Sequence, residues 1–309
     1  MTPVLHFGDS ARGQDWQKVF AAEMPEIDFR CWPDLGDAEE IRHLVAWKLT
    51  DELLTALPNL EVLFSIGAGI DQLAADRLPK HLRIVRMIEP GITQTMADYV
   101  SMAVLALHRD LPFYIAEQRA GRWSERATLL TSERRVGVMG LGELGRAALA
   151  ALAPHGFRLS GWSRTTQQIG GVACFNGATG FDAFLGQCDI LVCLLPLTDD
   201  TRGILCRNTF AKLPKGARLI NVARGGHLVQ SDLLAALDSG QLEAAILDVT
   251  DPEPLPDGHP FYRHPAIFLT PHISGVTRKE TAVHVLIDNL RRELAGQPLL
   301  GEVDRTRGY

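Results

Sequence analysis

Three short segments late in the chain carry the side chains with the most chemistry to offer. NVARGG places Arg224 in a glycine-rich turn, LDVTDPEPLP places Glu253 in a proline-rich one, and LTPHIS places His272 just after a proline. Together they hold the side-chain types of anion binding and proton exchange. Singly, each has a plainer reading. A loop histidine is usually structural, a loop glutamate is usually solvated, and an arginine can cap a helix. The chain has ten histidines, so the weight lies on the set. Each segment ends an apolar, branched run: RLINV at 218–222, AAILDV at 244–249 and AIFLT at 266–270. Each is therefore expected just past the C-terminal end of a strand, where open parallel sheets bind their ligands.

A fourth segment, RVGVMGLGELG, supplies Gly140, Gly142 and Gly145 in G-x-G-x-x-G spacing, after a branched strand and at the start of the helix ELGRAALAALA. That context gives the spacing meaning. Gly140 permits the tight turn, Gly142 lets the backbone approach a pyrophosphate, and Gly145 lets helix and sheet pack closely. Leu141, Glu143 and Leu144 complete the expected cofactor-binding turn, whose free N–H groups face the phosphates. On this motif alone another nucleotide-like ligand, such as S-adenosylmethionine, stays open.

The stretch LSGWSRTT at 159–166 follows at about the distance where an acidic residue grips the ribose of NAD, and it offers Ser163 and Arg164 instead. A carboxylate there would repel a 2′-phosphate by roughly 4 kcal/mol at ~4 Å and an effective dielectric of ~20. Arg164 reverses that sign, and Ser163, Thr165 and Thr166 can donate hydrogen bonds to phosphate oxygens. These residues predict NADP(H) over NAD(H). The alternatives are an Arg164 stacked on adenine or solvated at the surface.

The elements that must position these groups are legible as alternation. Apolar runs at 4–7, 27–30, 43–47, 62–66 and 83–87 form one strand series; runs at 135–139, 158–162, 189–195, 218–222, 244–249 and 266–270 form a second. Amphipathic stretches lie between them, among them SDLLAALDSG, with a Ser/Asp start and a Gly stop. Continuous apolar strands alternating with helices imply parallel sheets covered on both faces. Long helices are expected at 93–110 and 276–294, where the chain crosses between domains. The expected organisation is a discontinuous first domain, 1–97 plus 276–309, and a second domain, 98–275, with a ligand cleft between them.

The 309 residues are 46% hydrophobic, enough for two cores. A net charge of −6 argues against nucleic acid or an anionic membrane as partner. Cys31, Cys174, Cys188, Cys193 and Cys206 are odd in number, with no C-x-x-C pair, which reads as reduced thiols. MTPVLHFGDS has no signal-peptide pattern, and no apolar run approaches the ~18 residues of a membrane span. A protein of the reducing cytosol, with no metal site, is expected.

With these residues in view the chain resembles the D-2-hydroxyacid dehydrogenases, and within them the NADPH-using glyoxylate/hydroxypyruvate reductases. The motifs that carry the likeness are SIGAGID at 65–71, GLGELG, GWSRT, LLPLTDDTRGI at 194–204, NVARGG, SDLLAALDSG, LDVTDPEPLP, TPHISGVTR and VDRTRGY, spread over nearly the whole chain. The resemblance implies two doubly wound α/β domains, a Rossmann-type cofactor domain and a flavodoxin-like substrate domain, in an enzyme that reduces small 2-oxo acids. It implies that Arg224 binds the substrate carboxylate, that His272 gives a proton to the carbonyl oxygen, and that Glu253 pairs with His272 and favours its charged form. It implies that Ala68 and Gly69 hold the carboxylate through their backbone. Asp248 would bond the nicotinamide carboxamide, and Leu195, Pro196, Thr198 and Ala223 would lie along the cofactor. Trp47 would close the substrate pocket, and the protein would form a homodimer. Rival readings are a dehydrogenase of a larger 2-hydroxy acid with NAD preference and a nucleotide-sensing corepressor. The chain departs from the subgroup at three places. Thr165, Thr166 and Gln167 stand where a second basic residue follows the arginine, Thr250 stands for an aromatic, and Lys48 stands for a histidine.

Overall fold

A computed structural model describes residues 1–73 and 78–305; the end of the VDRTRGY motif, 306–309, lies outside them. The chain divides into two compact units, 1–92 with 277–309, and 93–276.

The first unit runs β1 (Thr2–Phe7), α1 (Ser10–Glu23), β2 (Ile27–Cys31), β3 (His43–Ala46), α2 (Asp51–Ala56), β4 (Val62–Ser65) and β5 (Arg83–Val85). Its sheet is parallel, in the order β2-β1-β3-β4-β5, the flavodoxin-like order. The strands are short buried runs; every residue of β3 and β4 is buried. Asp9 caps α1 through the Ala11 N–H at 3.0 Å and so fixes its start. The helix then buries Trp16 and Phe20, and Phe20 stacks on Phe29 of β2 at 4.5 Å between ring centroids.

The long helix α3 (Pro90–His108) carries the chain from the first unit into the second. It begins earlier than the apolar pattern suggests, with proline in the first turn, where its missing N–H costs nothing, and with the Glu89 carboxylate on the Gly91 and Ile92 N–H groups at 2.7 and 3.0 Å.

The second unit continues with α4 (Leu111–Arg119), β6 (Arg135–Met139), α5 (Glu143–Leu152), β7 (Arg158–Ser163), β8 (Val172–Asn176), α6 (Gly177–Leu185) and β9 (Ile190–Cys193). It closes with α7 (Arg207–Lys212), β10 (Ala217–Asn221), α8 (Gln230–Asp238), β11 (Leu242–Leu247) and β12 (Ile267–Leu269). The chain then returns to the first unit through α9 (Lys279–Leu294), which buries Ala282, Val283, Leu286, Ile287 and Leu290 at helical spacing. The second sheet is parallel, ordered β12-β11-β10-β9-β6-β7-β8. Period-2 alternation sends Ile190 and Val192 into one core and Leu191 and Cys193 into the other. Both faces are therefore covered, and each buried Leu, Ile or Val contributes ~1.5–3 kcal/mol of transfer free energy.

Two further features differ from the sequence reading. Strand β8 (VACFN) lies at the sheet edge with a half-exposed pattern, so it lacks the continuous apolar run that marks its neighbours. Helix α8 starts one residue before Ser231, with Val229 as its cap. The Asp232 carboxylate is turned instead to the Arg207 N–H at 2.8 Å.

Candidate active site

The sheet of the second unit reverses its winding between β6 and β9, since β7 and β8 lie to one side and β10, β11 and β12 to the other. A crevice opens at such a switch point, outside the carboxyl ends of the strands. Every predicted site residue of this unit follows one of those ends: the glycine turn after β6, Ser163 and Arg164 at the end of β7, Leu195 to Thr198 after β9, Ala223 and Arg224 after β10, Asp248 and Glu253 after β11, and His272 after β12.

The glycine turn is shaped as a dinucleotide needs. Gly140 has φ +101°, and a β-carbon there would sit 2.6 Å from the Leu194 carbonyl oxygen. A β-carbon on Gly145 would lie 1.8 Å from the Gly140 carbonyl oxygen, so helix and turn are in direct backbone contact. Gly142 faces open space, with nothing within 4 Å of its β-carbon position. It is the N-cap of α5 and, being glycine, has no side chain with which to cap that helix. The first-turn N–H groups, which include those of Glu143 and Leu144, open to a ligand of negative charge. The Leu141 side chain is buried under Gly161 and locks the turn to β7.

Beyond β7 the loop folds on itself. Ser163 Oγ donates to the Thr165 carbonyl at 2.7 Å, and Gln167 Nε2 donates to Thr165 Oγ1 at 3.3 Å. Arg146 reaches this loop from α5. Its Nε donates to the Leu141 carbonyl at 3.1 Å, and its Nη2 to Gln167 Oε1. The sequence reading missed it, although it is the residue directly after the third glycine.

After β9, Leu195 is buried, and the Pro196 carbonyl accepts from Thr201 Oγ1 at 2.7 Å, which in turn accepts from the Thr198 N–H at 2.8 Å. After β10, the buried Asn221 sets the next turn: its Oδ1 accepts from the Ala223 N–H at 3.2 Å and its Nδ2 donates to the Arg224 carbonyl at 3.0 Å. His227, fully buried, has Nδ1 3.1 Å from the Arg224 carbonyl and Nε2 3.2 Å from the Pro196 carbonyl. It thereby joins the turns that follow β9 and β10. Asn221 and His227 also escaped the sequence reading; the signal available was a polar residue closing the apolar run RLIN and a histidine inside ARGGH.

Arg224 is half-buried, with Nη1 donating to the Ala223 carbonyl at 2.8 Å. Its neighbour Gly225 has no room for a β-carbon, which would lie 2.0 Å from the Thr250 carbonyl group. The Arg224 turn therefore rests on the turn that presents Glu253. Glu253 Oε1 accepts from the Thr250 N–H at 3.1 Å, and Oε2 lies 2.9 Å from His272 Nδ1. Of the predicted trio, Glu253 and His272 are thus in direct contact, and Arg224 stands in the abutting turn. Thr250 holds the carboxylate through its backbone, a task independent of the missing aromatic side chain.

His272 has φ +55°, a left-handed conformation that costs about 1–3 kcal/mol in a non-glycine residue. Asp248 compensates. It is 1% exposed. Its carbonyl accepts from the His272 N–H at 2.9 Å, and its two carboxylate oxygens accept from the Ile273 and Ser274 N–H groups, each at 2.8 Å.

Trp47, Ala68 and Gly69 belong to the first unit. Trp47 follows β3, is 37% exposed, and lies against Gly67, where a β-carbon would come 2.1 Å from the indole. Ala68 and Gly69 follow β4, and the Gly69 carbonyl accepts from Gln72 Nε2 at 3.1 Å.

The thiols of Cys188 and Cys193 are buried and pushed up to about 12 by that burial, which makes them inert packing groups. Among the described residues no helix is long and apolar enough to cross a membrane.

Residues 101–274 match the family model described as D-isomer specific 2-hydroxyacid dehydrogenase, NAD binding domain. The chain is 35% identical to glyoxylate/hydroxypyruvate reductase A of Yersinia enterocolitica over 99% of each chain. Its fold is similar to a D-isomer specific 2-hydroxyacid dehydrogenase of Xanthobacter autotrophicus solved with NADPH and MES, with a TM-score of 0.93 and 40% identity over all of both chains. It is also similar to an NADPH-dependent glyoxylate/hydroxypyruvate reductase of Sinorhizobium meliloti solved with NADP and sulfate, with a TM-score of 0.91 and 34% identity over all of both chains. Two parallel α/β units, a glycine turn at the switch point and a histidine–glutamate pair at the strand ends thus coincide with full-length likeness, and the chain belongs to the D-isomer specific 2-hydroxyacid dehydrogenase family of oxidoreductases.

Proposed function

We propose that this protein reduces small 2-oxo acids of the glyoxylate and hydroxypyruvate class to 2-hydroxy acids, with NADPH as the preferred reductant. The observation that carries the reading is the 2.9 Å contact of His272 Nδ1 with Glu253 Oε2 beside the Arg224 turn. The Yersinia and Sinorhizobium relatives, named for this activity, and the Xanthobacter and Sinorhizobium structures, solved with NADPH and NADP, support it.

The residues present suit a dinucleotide phosphate. Gly142 leaves space at the start of α5 and has no side chain to cap it, and the loop after β7 carries one cation, Arg164, and three hydroxyls with no acidic residue between Ser163 and Gln167. Arg146 adds a second guanidinium to Arg164 and stands in for the basic residue absent from the loop. When bound, NADPH supplies the hydride.

The chain's own groups do the rest. Arg224 offers a planar fork to the substrate carboxylate. Glu253 on Nδ1 fixes the tautomer and the direction of the His272 ring, leaving Nε2 to hold the proton destined for the carbonyl oxygen. The roles given above to Trp47, Ala68, Gly69, Leu195, Pro196, Thr198, Ala223 and Asp248 are part of the same proposal. So are a homodimer, which sedimentation tests, and a cytosolic location.

A panel of 2-oxo acids assayed with NADPH and with NADH tests the reading. Highest kcat/KM with glyoxylate or hydroxypyruvate and NADPH supports it; a preference for NADH, or for a bulky 2-oxo acid, overturns it.

A further inference from the structure

We propose that Thr270 and Tyr99 are positioning residues for His272, acting through Asp248. The proposal rests on the reading of His272 as the proton donor.

Asp248 is the hub. Three consecutive N–H groups, those of His272, Ile273 and Ser274, converge on it at 2.8 to 2.9 Å. The His272 N–H goes to the Asp248 carbonyl oxygen, and the Ile273 and Ser274 N–H groups go one to each carboxylate oxygen; the left-handed His272 brings the three to one residue. The carboxylate thus sets the backbone from which the imidazole projects. Its own orientation is set in turn by Thr270, whose Oγ1 donates to Asp248 Oδ1 at 2.6 Å.

Having given its one proton to Asp248, the Thr270 hydroxyl can only accept from its other neighbour, Tyr99 Oη, at 2.5 Å. Tyr99 is therefore the donor. Burial, above all, pushes its phenol up to about 12, so the proton is present at neutral pH. Tyr99 is 8% exposed in the middle of α3. The result is a one-way chain of donors, Tyr99 to Thr270 to Asp248, in which each bond polarises the next. It anchors the His272 turn to a helix 171 residues away in sequence.

Thr270→Val and Tyr99→Phe remove hydroxyls while keeping volume, and Thr270→Ser keeps the hydroxyl. With NADPH and glyoxylate, Thr270→Val should lower kcat about tenfold to a hundredfold, the scale of a small misplacement of a reacting group, and leave the KM for NADPH within about twofold. Its kcat–pH profile should shift. Tyr99→Phe should move the same way by less, and Thr270→Ser should recover to within about threefold of the parent. Amide exchange at Ile273 and Ser274, measured with no substrate present, should quicken in Thr270→Val and Tyr99→Phe. That arm decides the positioning claim even if the protein reduces no 2-oxo acid. Unchanged exchange at both amides, or kcat and pH profiles of both variants matching the parent, overturns the proposal.

Discussion

His272 Nδ1 and Glu253 Oε2 stand 2.9 Å apart, while the other oxygen of the same carboxylate is held by the Thr250 N–H. The glutamate is thereby fixed at one end and fixes the imidazole with the other. Glu253→Gln removes the charge at the ring and leaves an amide whose NH₂ can face Nδ1, so the Nδ1–H bond that orients the imidazole is lost. It should lower kcat about tenfold to a thousandfold, with the KM for NADPH little changed. Steady-state kinetics with each substrate varied in turn checks this; a loss confined to KM for NADPH would contradict it.

Arg224 tests carboxylate recognition. Arg224→Ala should cost ~2–5 kcal/mol in kcat/KM for the 2-oxo acid, since the substrate anion loses its partner. Arg224→Lys should recover only part of it, because an ammonium cannot offer the planar fork. Equal recovery by lysine would mean that charge alone matters.

Arg146 tests cofactor choice. It reaches the loop after β7 through Gln167 and the Leu141 carbonyl. Arg146→Ala should lower the kcat/KM ratio of NADPH to NADH about tenfold or more, the worth of one charge-assisted hydrogen bond. Parallel losses with both cofactors would assign the side chain to helix structure.

His6 tests the first unit's response to acid. It is buried edge-on to Trp16 and stacked on Phe29. Burial, and next Arg12, lowers its pKa from 6.5 to about 4, against a smaller opposing effect of Asp9. The unfolded chain therefore takes up a proton that the folded chain refuses. The stability this group contributes is complete above about 6.5 and is lost as pH falls toward about 4. Thermal unfolding across that window should show a Tm that declines in the parent and declines less steeply in His6→Leu; identical slopes would contradict the assignment.

What the sequence made legible follows from local physics. Runs such as VLFS and RLIN are wholly buried strands because both faces of a parallel sheet are covered, and this leaves a continuous apolar signature. The site loops were legible because glycine and proline turns after such runs fall at the ligand-binding edge. Val172–Asn176 was not legible, since an edge strand needs no apolar run. Nor was the support of His272. Tyr99 and Thr270 meet across 171 residues, and Thr270 and Asp248 across 22; contacts of that range leave no periodic trace in the chain. The bonds from the Ile273 and Ser274 N–H groups to the Asp248 carboxylate are of the same kind, and LDVTDPEPLP alone does not display them.

Proton delivery by His272 to a 2-oxo acid is tested by His272→Gln, assayed with NADPH and glyoxylate alongside NADPH binding by fluorescence titration. The variant's kcat should be lower by about a hundredfold or more, with NADPH affinity within about twofold of the parent. A kcat within about threefold of the parent, with cofactor binding intact, would contradict it.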